Sequence, residues 1–381
     1  MKHAALLLLT LLMMTGCRRE PELHLYDEAD FDIDIPEIEL SLDVYWDYDI
    51  QYDWRAEWYY GWDEAEGEIG YKEPTAYQIR RYHTGYVPYA PHTSKATPEY
   101  AKGNTFHASY EWGFWDILVW NDITTIDQVQ SLGFDEDTSP DYVTAFTGPT
   151  PFSSRYQAPR YTHSFWEPEP LFAAYTQAEE IQPDLKGFVY DEERKVYVKK
   201  VNLLLLPLTY IYLTQVILHH NNNRVVGVDG SSNLSGMARS VVLNTGVAGE
   251  DAITVYYNVN LKYHCKKKGE DVDIIGGRLM SFGICGHNAN NITRADEVKD
   301  NNHHFMDVTM TFNNGTDSTF VFDVTDQVRK RYKGGVITVE LDMDTIPIPT
   351  RSGGSAFNAV VEETKDGGTF EIDFENKDGK N

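Results

Sequence analysis

From Glu39 to Asp53 apolar and polar positions alternate almost without fault. Leu40, Leu42, Val44, Trp46, Tyr48, Ile50, Tyr52 and Trp54 face one way, and Glu39, Ser41, Asp43, Asp47, Asp49, Gln51 and Asp53 the other. A period of two over that length predicts a half-buried β-strand, or two strands meeting at a bend. Phe31–Ile35 has the same parity before Pro36 resets the register. Strands are also predicted at Phe106–Tyr110, Phe114–Trp120, Tyr142–Thr147, Lys195–Leu206 and Tyr210–His219. Further along they fall at Val241–Leu243, Ile253–Tyr263, Arg278–Ile284, Phe305–Phe312, Thr319–Val324, Val336–Leu341, Phe357–Val361 and Thr369–Phe374. Helical periodicity is confined to Thr125–Leu132, Leu171–Ile181 and Asp326–Arg331, the last capped by Thr325. Many short strands separated by Gly, Asn and Asp turns predict an all-β chain of antiparallel β-sandwiches with few short helices. Pro207 interrupts the apolar run Leu203–Leu206, which divides the chain into an N-terminal sandwich over 36–207 and a C-terminal sandwich over 208–375.

The first 16 residues do not fit that pattern. A basic start, an apolar run from Ala4 to Met14 and then Thr15-Gly16-Cys17 form a secretory signal peptide, too short for the ~20 residues of a membrane span. Cys17 directly after Thr-Gly resembles a bacterial lipobox, in which the signal is cut between Gly16 and Cys17 and the cysteine carries the lipid. At about 0.8 kcal/mol per buried CH₂, several acyl chains hold a protein stably on a membrane. Arg18 stands where an inner-membrane lipoprotein usually has Asp, so the expected location is the outer membrane, lipid-anchored and surface-exposed.

Charge sharpens this picture. The 381 residues carry a formal net charge of −26, which argues against nucleic acid as a partner. More than half of the acidity lies within residues 17–70, so 17–35 reads as an acidic tether between lipid and fold. An aromatic content of 13% is too high for a disordered acidic chain.

Motifs for chemistry are scarce. Gly353-Gly-Ser355-Ala-Phe357 lacks the last glycine of a nucleophile elbow, and no Walker loop, Gly-x-Gly-x-x-Gly or His-Glu-x-x-His occurs. His219-His220 and His303-His304 suggest metal, but neighbours on a regular strand point to opposite faces, so solvated loop histidines are expected. Asp32/Asp34, Asp47/Asp49, Asp271/Asp273 and Asp342/Asp344 lack the glycine and distal Glu of an EF-hand loop and read as the wet face of strands. Neither a metal nor a cofactor is expected, and the chain is read as non-enzymatic. Cys265 and Cys285 are compatible with a disulfide in an exported protein, the alternative being two buried free thiols. Nine of the 18 residues from Tyr45 to Trp62 are aromatic. Trp46, Tyr48, Tyr52 and Trp54 share the apolar strand face and read as core. Trp58, Tyr59, Tyr60 and Trp62 break the alternation and are candidates for an exposed ligand-binding platform.

Several pieces resemble one family. The lipobox Cys17, Leu42-Asp-Val-Tyr-Trp46, Leu206-Pro-Leu-Thr-Tyr210, Leu234-Ser-Gly-Met-Ala238 and Phe322-Asp-Val-Thr-Asp-Gln-Val328 resemble Bacteroides-type outer-membrane lipoproteins of unknown function. So do Ile346-Pro-Ile-Pro and Gly353-Gly-Ser-Ala-Phe-Asn-Ala-Val-Val361. That family is similar to the fimbrillin superfamily of pilus subunits and their membrane anchors. The resemblance implies two tandem transthyretin-like β-sandwiches and fimbrial subunits as partners, joined by donor-strand complementation, in which a strand from a neighbour fills an open groove. Polymerising members lose their N-terminal strand after an Arg. Arg55 lies within the aromatic stretch, Arg80-Arg81 comes later, and the tail Glu-Asn-Lys-Asp-Gly-Lys-Asn is short and polar. These departures imply an anchoring or accessory subunit of surface fimbriae in assembly and adhesion. The alternative is a surface glycan-binding lipoprotein using Trp58, Tyr59, Tyr60 and Trp62.

Overall fold

The computed structural model describes residues 36–44, 54–61, 73–123, 131–156, 161–288, 300–350 and 358–361. Cys17, Trp62, the acidic tether, the alternating stretch 45–53, most of the predicted helix Thr125–Leu132 and the predicted strand Thr369–Phe374 lie outside those residues. Among the described residues no helix is long and apolar enough to cross a membrane.

The first half of the chain supplies β1 (Glu37–Val44), α1 (Trp54–Glu57), β2 (Ala76–Gly85), β3 (Pro98–Lys102), β4 (Thr105–Ser109) and β5 (Gly113–Asn121). Four short strands follow: β6 (Leu132–Asp135), β7 (Thr144–Thr147), β8 (Pro149–Ser153) and β9 (His163–Trp166). Then come β10 (Phe172–Ile181), β11 (Val189–Asp191) and β12 (Val196–Pro207). One layer is ordered β3-β2-β5-β10, and the other holds β12, β1 and β4 with β11 beside β12. The layers join at a corner where β10 and β12 pair only through Phe172–Pro207 and Ala173–Leu206. Between them lies a core that includes Ile38, Leu40 and Leu42 of β1, Tyr77 and Ile79 of β2, Ile117 and Val119 of β5, and Leu203 and Leu205 of β12.

The predicted helix at Leu171–Ile181 is instead the strand β10. Its composition favours a helix, but its backbone pairs with β5 from Ala173 through Ile181, and non-local pairing overrides the weak helical propensity. A bulge between Thr176 and Glu179 holds Ala178 at φ 55°, and the Ala178 amide donates to the buried Asp116 carboxylate at 2.7 Å.

The second half contributes β13 (Tyr210–His219), β14 (Val225–Ala238), β15 (Ser240–Val242), β16 (Ala252–Lys267) and β17 (Glu270–Ser281). After these come β18 (Phe305–Phe312), β19 (Asp317–Asp323), α2 (Thr325–Lys330), β20 (Gly335–Asp342) and β21 (Asn358–Val361). One layer runs β20-β13-β17 and the other β14-β18-β19-β21. The 16-residue β16 serves both, pairing with β14 through residues 252–258 and with β17 through 259–267. Strand β14 was not predicted, because Gly227, Gly230 and Gly236 among serines and an asparagine read as turns; bulges along the strand accommodate them. Helix α2 begins at Thr325, whose hydroxyl does not cap it but bonds Asp323 and accepts the His304 amide.

Strand pairing crosses Pro207. β7 pairs with β15 and β9 with β16, so 132–166 joins strands that come later in sequence. A shared cluster of Trp120 and Leu171 with Leu243, Phe282 and Cys285 fills the space where the two halves meet.

Candidate strand-complementation site and aromatic latch

β1 sits between two partners. It runs parallel to β12 over eight paired residues and antiparallel to β4 over five. Its odd positions meet solvent: Glu37 pairs with Arg194, and Glu39 lies 3.6 Å from both Lys200 and His107. Its even positions Ile38, Leu40 and Leu42 are fully buried, as the alternation required. At the other end of the chain, β21 lies parallel to β19 at the edge of its sheet, with Asn358 to Val361 in register with Thr319 to Phe322. β1 and β21, the first and last of the described strands, thus each pair in parallel with one neighbour.

The predicted strand does not continue to Trp54. Trp54–Glu57 is one helical turn, and the residues after it cross the outer face of β13 and β17. Trp58 and Tyr60 are 3% and 4% exposed, which corrects the expectation of a solvent-facing platform. They pack on Ile211, Leu213, Ile217, Val272, Ile274, Met280 and Val336, with Tyr59 half-buried beside them.

Gln215 anchors this latch from within β13. Its Oε1 accepts from the Tyr59 and Tyr60 amides at 2.9 and 3.2 Å, and its Nε2 donates to the Glu57 carbonyl and to Thr338 Oγ1. At Gly276 a Cβ would come within 2.4 Å of the Tyr60 ring, so only glycine leaves that ring its seat. Lys262 Nζ lies over the Tyr60 ring, 4.3 Å from its centroid, and Arg331 reaches Glu57 at 3.1 Å. The missed signal was β13 itself, whose Tyr-Ile-Tyr-Leu-Thr-Gln-Val-Ile-Leu run is apolar on both faces and therefore needs a cover on each.

Cys265 and Cys285 are both free, so the disulfide alternative gives way to two thiols. Cys265 lies at the exposed end of β16, whereas Cys285 is buried, its thiol pushed up to about 12 by desolvation and nearby acids. Of the histidine pairs, His220 and His303 are exposed as expected, and the departure is at their neighbours. His304 is fully buried, its Nδ1 3.1 Å from the Ser235 carbonyl and its Nε2 2.5 Å from Asp300. Burial raises the Asp300 pKa, but hydrogen bonds from His304 and Asn302 outweigh it and leave the carboxyl below its usual range. His219 and His220 do not split to opposite faces and are considered below.

One polar cavity of about 240 Å³ opens beside the β2–β3 loop, lined by Arg81, His83, His92, Lys95, Glu99 and Trp115 among others. The same loop carries Tyr86, Val87 and Tyr89 at 77%, 62% and 69% exposure.

No protein-family model matches the sequence, and no curated protein does. Solved structures do. The chain is similar to bacterial adhesin candidates and fimbrial proteins. An adhesin candidate from Bacteroides ovatus is 12% identical with a TM-score of 0.47, over 84% of this chain and 96% of that one. Another, from Bacteroides thetaiotaomicron, is 9% identical with a TM-score of 0.45, over 81% and 93%. The fimbrial anchor protein Mfa2 from Porphyromonas gingivalis is 11% identical with a TM-score of 0.37, over 82% and 93%.

Proposed function

We propose that this protein is a non-enzymatic subunit of surface fimbriae, lipid-anchored to the outer membrane through Cys17, that retains its own N-terminal strand and so anchors or terminates a polymer. The observation that carries this reading is β1: the first described strand, parallel to β12 and antiparallel to β4, whose three buried side chains complete a core otherwise built from later strands. Such a strand is the element that donor-strand complementation replaces. Its retention follows from where the arginines lie. A protease reads an extended backbone, whereas Arg55 falls within α1, whose carbonyl at Glu57 and following amides are tied to Gln215. Arg80 is 4% exposed and bidentate to Glu136, and Arg81 is clamped by Glu99. On this reading the chain keeps β1, and with β1 in place the groove beside β12 and β4 has no room for a donor strand.

In the producing bacterium, deleting the gene should release more fimbrial polymer into the medium. Unchanged release together with unchanged fimbrial length would end the anchor reading. Cys17→Ala should abolish labelling by an alkyne fatty acid; a labelled variant would refute the lipid anchor.

A second reading, glycan contact, is favoured by the cavity and exposed tyrosines of the β2–β3 loop rather than by Trp58 and Tyr60. Affinity electrophoresis on host and dietary polysaccharides decides it. Retardation lost in Tyr86→Ala and Tyr89→Ala supports this reading, and its absence from every polysaccharide removes it.

A further inference from the structure

The parallel pair of β13 and β20 ends with His219 level with Asp342. On a regular strand His220 would point away from His219, but its backbone turns left-handed, at φ 51°. The imidazole therefore swings over the β20 end, where the turn Asp342-Met343-Asp344 begins. Two features that carry nothing separately, a His-His pair and an Asp-x-Asp pair more than 120 residues apart, meet there.

We propose that His220, Asp342 and Asp344 form a binding site for one zinc-class divalent cation. One nitrogen or oxygen of each lies within 4.8 Å of the others. His220 Nδ1 is 3.0 Å from Asp342 Oδ1. With metal–donor bonds of about 2.0–2.2 Å, adjacent ligands of a tetrahedral or octahedral ion stand about 3.0–3.5 Å apart, so a cation fits between these atoms after a small side-chain adjustment. The frame is set before binding. The Asp344 amide donates to Asp342 Oδ1 at 3.1 Å, Thr345 Oγ1 donates to the Asp342 carbonyl at 2.7 Å, and the Met343 amide donates to the His219 carbonyl at 2.9 Å. Such contacts orient ligands and sustain affinity.

The neighbouring groups are engaged elsewhere. His219 has Glu270 at one ring nitrogen and Glu340 at the other, and Lys267 takes Glu340. The His220 imidazole lies against Asp342, and with that ring neutral, as a ligand must be, the two carboxylates leave an excess of negative charge at the site. One imidazole with two carboxylates selects zinc, cobalt or nickel over calcium, which binds oxygen alone. Three protein ligands leave a position open to solvent.

Calorimetric titration of the full chain with zinc chloride in a non-chelating buffer tests this. A single saturable site is expected, weakened about tenfold or more by His220→Gln and by Asp344→Asn. His219→Gln should bind as the parent does, since both its nitrogens already have partners. Equal binding by the His220→Gln/Asp344→Asn double variant, tighter binding of calcium than of zinc, or no saturable binding would each overturn the proposal. Unchanged thermal melting of the zinc-free variants shows that they fold.

Discussion

Only nine residues separate β1 from the latch 54–61, yet β1 is held by strand pairing and the latch by ring packing and by the Gln215 side chain that takes its backbone groups. β1 presents three aliphatic side chains to a core and aligns its amides with two neighbours, which any strand of the same alternation satisfies. The latch presents one indole, one phenol and three backbone groups to positions built for them, including a glycine that leaves room for a ring. Pairing by backbone is exchangeable; fit by side chains is particular to this chain.

Three measurements would break or sharpen that contrast. The largest effect is expected at the latch. Trp58→Ala should cost about 3–5 kcal/mol and speed amide exchange in β13 and β17 while leaving β2 and β5 protected. Equal loosening of both halves would mean that the latch is not particular to the later sandwich.

Next comes a buried charge on the C-terminal side. Asp307 of β18 is 1% exposed, and burial pushes its carboxyl up to about 6 despite Arg155 and the Asn233 amide. Its folded pKa lies above the unfolded value, so the native state takes up the proton first. This term favours folding as pH falls from about 6 to about 4 and opposes it above 6. At about 1.4 kcal/mol per pKa unit, Asp307→Asn should add on the order of 2–3 kcal/mol at neutral pH and flatten stability between pH 4 and 6. An unchanged pH profile would remove Asp307 as its source.

The smallest effect is expected at β1, where Leu40→Ile conserves volume and alternation and should cost less than about 1.5 kcal/mol by chemical denaturation. A loss as large as that of Trp58→Ala would show that β1 too depends on shape.

Legibility from sequence follows the same contrast. Leu40 and Leu42 were readable because a strand between two neighbours needs only a period of two. Phe305–Phe312 was located to the residue for the same reason. The helical turn at Trp54 was not, because the alternation runs on to that residue, and the seat of Trp58 and Tyr60 depends on the distant Gln215 and Gly276. β10 reads as helix until β5 lies beside it. His304 reads as a loop residue until Asp300 and the Ser235 carbonyl enclose it. His220 and Asp342 share no local pattern, and their meeting depends on the parallel register of two strands.

The orientation of β1 has a mechanical consequence. A pull on Glu37 along the strand axis loads the hydrogen bonds to β12 and β4 in shear, so that they must fail together rather than open one by one like a zipper. A joint loaded in this way resists force far better than its equilibrium stability alone would suggest.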